Sequence, residues 1–184
     1  MRILASLVMI ITLLCVTGCN EDEPKFTSEQ IKNAIFDLKG TYHGKMRVSY
    51  FQGATISDYK ECKAVSRDSL VIDMDLAQMT ESIEDETIAT LLRQIGVVSV
   101  KAGYEFLQMD EMLHFVLHPA DVTVPPGYGA PPSVRIVFSQ NFGGDATPEQ
   151  HTMMFNLSPT ELWIGSSRYE PFKQLVFHFE GEYE

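Results

Sequence analysis

Histidine has the widest chemical range of any side chain near neutral pH, and this chain carries five. His114 and His118 are four apart. On a helix that spacing would put both on one face and invite a shared metal ion. Their neighbours Phe115, Val116 and Leu117, with Pro119 next, read as strand instead. Four strand steps cover about 13 Å, too far for two ligands of one ion. The pair therefore shares a sheet face and not a coordination sphere. His178 and Glu180 lie about 7 Å apart along one strand face, and only a cross-strand approach, by His43 or His151 for instance, would make a site of them. Nucleophile motifs are absent. Ser166 and Ser167 follow Gly165 without the second glycine of a nucleophile elbow. Among 25 acidic residues no spacing singles out a pair for glycoside hydrolysis. Phosphate-cradling and dinucleotide-binding glycine patterns are missing too. These residues predict no catalytic set, no metal site and no cofactor, so the chain reads as a non-enzymatic module.

Aromatic residues are the better lead for binding. Tyr128 sits in the proline-rich stretch 124–132 (VPPGYGAPP). Phe142 lies in the glycine-rich stretch 141–150, and Trp163 and Tyr169 flank a later turn. Loop-borne aromatics favour ligand sites, so these four are the candidate binding residues, for a glycan, a small apolar ligand or an envelope protein. Trp163, between Leu162 and Ile164, suits a core better than a binding surface, and Tyr128 better suits a loop plug. Two other readings stay open. A carrier could line a cavity with Met46, Met74, Met109, Met112, Met153 and Met154. A hydrolase acting on envelope or dietary polymers would need a Ser/His or paired-acid contact that the spacing does not reveal.

The first residues carry an address. Arg2 precedes the apolar run 3–16, which is too short to span a membrane as a helix. Thr17, Gly18 and Cys19 follow, then Asn20, Glu21, Asp22 and Glu23. Residues 16–19 (VTGC) resemble the bacterial lipobox. The resemblance implies cleavage between Gly18 and Cys19, with acylation of Cys19. Two or three acyl chains hold a protein stably on a membrane. The cluster Glu21, Asp22 and Glu23 resembles the export tag of surface lipoproteins in Bacteroidetes. Asn20 is not the aspartate of the inner-membrane retention signal. The expectation is an outer-membrane lipoprotein, displayed at the surface or facing the periplasm. Residues 1–18 are then a signal peptide, 19–25 an acidic tether and 26–184 a single β-rich domain.

Composition agrees. A formal net charge of −11 argues against nucleic acid as a partner and against peripheral docking on anionic lipid. Of three cysteines, Cys15 leaves with the signal and Cys19 takes lipid. Cys62 is left alone, and no intramolecular disulfide can form. Its alternating surroundings suit a small buried hydrophobe.

The elements that must position these residues are mostly strands. Thr27 and Gln30 form a capping box for a first helix whose stripe is Ile31, Ala34, Ile35 and Leu38, with Gly40 placed to end it. Residues 42–50 alternate as a half-buried strand, and 70–76 as another. Ile88, Leu91, Leu92 and Ile95 mark a second helix over about 81–95, stopped by Gly96, with acids crowding its start. Further strands are expected at 97–107, 112–118, 134–140, 151–157, 161–165 and 174–180, with 141–150 as a turn. This pattern predicts an α+β, mainly β fold: an antiparallel β-sandwich or partly open barrel with an N-terminal helix and one inserted helix. The segment 38–46 (LKGTYHGKM) resembles the Gly-Thr-Tyr-x-Gly opening of small Bacteroidetes lipoprotein families of unknown function. The resemblance implies a calycin-like or related antiparallel β domain, and it implies no functional residues.

Overall fold

A computed structural model describes residues 26–126 and 132–183. The expected features at Gly18, Cys19, Glu21, Asp22, Glu23 and Tyr128 lie outside the described residues.

Helix α1 (Ser28–Asp37) starts as its sequence dictates. Gln30 N–H donates to Thr27 Oγ1, and Thr27 N–H donates to Gln30 Oε1, closing the capping box. Leu38 caps the end, so Gly40 opens the next strand rather than ending the helix. Then follow β1 (Gly40–Tyr50), β2 (Lys60–Ser66) and β3 (Leu70–Asp75). A 3-10 segment (Leu76–Ser82) leads to helix α2 (Glu86–Ile95). This helix is shorter at its start than the acid-rich sequence suggests. The Asp85 carboxylate accepts from Thr87 N–H and Ile88 N–H and sets the N-cap there, leaving Glu81 and Glu84 outside. Gly96, at φ 70°, ends it as expected.

The remaining strands are β4 (Val97–Met109), β5 (Leu113–Pro119), β6 (Val122–Val124), β7 (Val134–Phe138), β8 (Phe142–Thr147), β9 (Thr152–Leu157), β10 (Pro159–Ile164), β11 (Ser167–Arg168) and β12 (Leu175–Tyr183). Among the described residues, eight of the twelve strands close into an antiparallel barrel in the order β1, β2, β3, β4, β5, β8, β9, β12, with β12 returning to β1. The other four form a small sheet in the order β11, β10, β7, β6. That sheet arises from two hairpin-like excursions, one between β5 and β8 and one between β9 and β12.

The inserted helix does not open the barrel. Asp75 at the end of β3 pairs with Val97 at the start of β4, and Leu76 N–H donates to Gly96 O at 3.0 Å. Helix α2 is thus an excursion between two strands that stay in register. The glycine-rich stretch read as a turn is the strand β8, which bridges β5 and β9. A Cβ on Gly144 would lie 1.9 Å from Met154 O, and one on Gly143 would lie 1.9 Å from Phe115 O. Neighbouring backbones press too close there for any side chain, which is why glycine occupies both positions.

Inward side chains fill the barrel. Met46, Leu70, Ile72, Met74, Leu117 and Phe177 are fully buried. Phe155 stacks on Phe179 at 4.6 Å between ring centroids, and Tyr104 meets Phe115 edge-on at 5.3 Å. The methionines do not act as a group. Met46, Met74 and Met153 are core, Met109 packs against it, and Met112 and Met154 are exposed. Val134, Ile136, Phe138 and Leu162 of the small sheet join the same buried cluster. No described helix is long and apolar enough to cross a membrane.

Candidate functional site

Strand alternation decides which side chains leave the barrel. On β1 the inward set is Tyr42, Met46 and Val48, so His43, Lys45, Arg47 and Ser49 face outward. Strand β12 presents Val176, His178, Glu180 and Glu182, and β9 presents Thr152, Met154 and Asn156. Register aligns them: His43 opposite Glu182, Lys45 opposite Glu180, Arg47 opposite His178, and across the next seam Asn156 opposite His178. The result is a polar wall three strands wide.

Two adjacent clefts lie along that wall. The first, of about 590 Å³, runs over His43, Lys45, Glu180, Glu182 and Met154, with Tyr59 at its side. The second, of about 400 Å³, runs over Arg47, Ser49, Asn156 and His178 and is flanked by Phe51 and Phe142. Phe51 comes from the turn after β1 and meets Phe142 edge-on at 5.9 Å. The larger cleft holds more charge, but the smaller one holds the ordered chemistry.

In the smaller cleft three side chains from three strands form a chain of hydrogen bonds. His178 Nδ1 lies 2.7 Å from Asn156 Oδ1, and His178 Nε2 lies 2.8 Å from Ser49 Oγ. A carboxamide oxygen only accepts, so Nδ1 carries the proton and donates to Asn156. Nε2 then holds a lone pair and accepts from the Ser49 hydroxyl. Burial holds the His178 imidazole below its ordinary value, and the Arg47 charge pushes the same way, against a smaller opposing pull from Glu180. The ring is therefore neutral at pH 7, in the tautomer that can take a proton from Ser49.

Arg47 completes the cleft. Its guanidinium lies over the Tyr59 ring at 5.3 Å. Its Nε is buried and has no hydrogen-bond partner among the described residues. That N–H is closed off from solvent, so what Arg47 offers a ligand in the cleft is its positive charge.

The aromatic candidates separate. Phe142 lines the cleft as described. Trp163 stands on the small sheet, half-buried, with its indole N–H donating to Glu161 Oε2 at 2.8 Å and Arg135 over its ring at 4.7 Å. Tyr169 packs against the core, and its hydroxyl accepts from Asp85 N–H at 3.3 Å, tying the small sheet to the start of α2. The described clefts do not bring Phe142, Trp163 and Tyr169 together.

Other histidines find separate partners. His114 and His118 share the outer face of β5, as their spacing predicts, and each meets its own carboxylate: Asp145 for the first, Glu105 at 2.7 Å for the second. Cys62 is half-buried, and its thiol donates to Asp73 O at 3.1 Å. Burial, with Asp73 nearby, pushes that thiol up to about 12.

Sequence reasoning did not single out Ser49, Arg47 or Asn156. Ser49 and His178 are 129 residues apart, and His178 and Asn156 are 22 apart, so no local motif joins them. The available signal was alternation, which already placed Ser49 on the outward face of its strand. Compared with known proteins, the chain matches no family model, and no curated protein and no solved structure is significantly similar to it.

Proposed function

We propose that this chain is a lipid-anchored cell-envelope protein that binds a glycan along the outer wall of its barrel. The observation that carries the reading is the smaller cleft: the Arg47 side chain, an ordered polar trio beside it, and aromatic rings at its edge. Sugars are recognised by such mixtures, with hydroxyls meeting directional polar groups and ring faces meeting aromatics. The adjoining cleft extends the same wall and gives room for more than one sugar unit. The VTGC ending at Cys19 and the acids at Glu21, Asp22 and Glu23 support an anchored, outward-facing placement.

The test is retention of the full chain on immobilised envelope and dietary polysaccharides, compared with the variant Arg47→Ala/Phe142→Ala. The expected result is binding by the parent and at least a tenfold loss in the variant. Equal retention of both sinks the cleft as the binding site. In parallel, Cys19→Ala should release the protein from the membrane fraction of expressing cells, and continued membrane retention would remove the anchor.

A further inference from the structure

Hydrogen bonding along the smaller cleft exceeds what adhesion to a sugar needs. A binding surface asks for donors and acceptors turned toward the ligand. Here Ser49, His178 and Asn156 are turned toward one another, in the order that makes a hydroxyl nucleophilic. We infer that Ser49 is a nucleophile, His178 its base and Asn156 the group that orients the base, and that the cleft cleaves short carboxylic esters carried on a glycan. The inference rests on the reading of this cleft as a ligand site and adds a reaction to it.

The steps follow from the geometry. Ser49 Oγ attacks the acyl carbon while its proton passes to His178 Nε2. The carbonyl electron pair moves to oxygen, and the positive charge of Arg47, which lines the same cleft, favours that oxyanion. The intermediate collapses, the glycan alcohol leaves with the proton from Nε2, and the acyl group stays on Ser49. Water then attacks the acyl carbon, giving its proton to Nε2. The carboxylic acid leaves as Ser49 recovers that proton. Ester and water become alcohol and acid, with no other reactant.

Two features define the substrate. Ser49 is only 9% exposed and lines a cleft of about 400 Å³, a confined setting that suits a short acyl group. Phe51 and Phe142 beside it offer apolar contact to that group or to a sugar face. Asn156 touches no substrate in this scheme and is a positioning residue.

The experiment uses the full chain, p-nitrophenyl acetate as probe ester, and a fluorophosphonate to mark the nucleophile. Expected results are phosphonylation mapped to Ser49, and hydrolysis that falls about 100-fold or more in Ser49→Ala. Asn156→Ala should slow hydrolysis, and Asn156→Asp should restore it with the pH inflection moved upward, because a carboxylate stabilises the protonated imidazole. A merely structural Asn156 would not move that inflection. Hydrolysis no faster in the parent than in a folded Ser49→Ala chain overturns the inference, as does a label on another residue. Polysaccharide retention by Ser49→Ala separates the two readings: binding kept with no Ser49-dependent hydrolysis overturns the reaction and leaves the glycan site intact. Ser49-dependent hydrolysis without polysaccharide retention overturns the glycan as substrate.

Discussion

Arg47 of β1 and His178 of β12 stand directly opposite each other in the antiparallel register, and both side chains leave the barrel into one cleft. A permanent cation is thus set beside an ionisable ring that is already half-buried. Both conditions disfavour a second positive charge. The imidazole that results is neutral, hydrogen-bonded on both nitrogens, and fixed in one tautomer.

His178 should therefore titrate below its ordinary value of 6.5. Arg47 faces it from β1 and Glu180 from its own strand, while β9 presents the uncharged Asn156 and Met154. Between the folded and unfolded values the unfolded chain binds the extra proton. Stability from this group is complete above the unfolded value and is lost as pH falls through the folded one. NMR titration of the ring checks this, and Arg47→Met should move its inflection upward. An inflection at or above 6.5 contradicts the electrostatic account.

Gly144→Ala should cost about 2–3 kcal/mol, because its methyl would meet the backbone at Met154 O and Phe155 Cα, which cannot yield without shifting a strand. Gly103→Ala is the matched control. Its methyl would meet nothing within 4 Å, and its φ is not left-handed, so stability should stay level or rise slightly. Denaturant unfolding of both variants gives the comparison. Similar costs at the two sites would remove close strand approach as the reason for Gly144.

Cys62 should resist alkylation in the folded chain. With its thiol pushed up to about 12, the thiolate fraction near pH 8 is about 1000-fold below that of an exposed cysteine. Mass spectrometry after iodoacetamide treatment reads the modification at Cys62, which should become rapid once the chain is unfolded. Rapid native labelling would mean the Asp73 contact does not protect the thiol.

Tyr169→Phe should leave glycan retention unchanged and lower stability by about 1 kcal/mol, since the Tyr169 hydroxyl accepts from Asp85 N–H rather than facing either cleft on the barrel wall. Trp163→Ala should likewise spare retention, its indole being engaged with Glu161 and Arg135. Phe142→Ala should weaken it. Loss of binding in the first two variants would relocate the site to the small sheet.

Local order was legible where short-range rules govern it. Thr27 and Gln30 announced the start of α1, and Gly96 announced the end of α2, because caps are settled within a few residues. Alternation in β1, β3 and β5 named the inward and outward faces correctly, since the pleat leaves no other choice. The α+β, mainly β class followed from those periods. Barrel closure did not. It depends on β8, whose glycines resemble a turn until the backbones of β5 and β9 are seen pressing on either side. It depends also on β3 and β4 keeping register across an inserted helix.

By itself, then, the sequence determined the periodic elements, their buried faces, the acidic charge and the expectation of an anchored N-terminus. Only the tertiary structure decided that Ser49, His178 and Asn156 meet. Those residues come from strands adjacent around the wall but distant along the chain, and their pairing is a product of register. A shift of one residue in β12 would turn His178 into the lumen and leave Ser49 without a base.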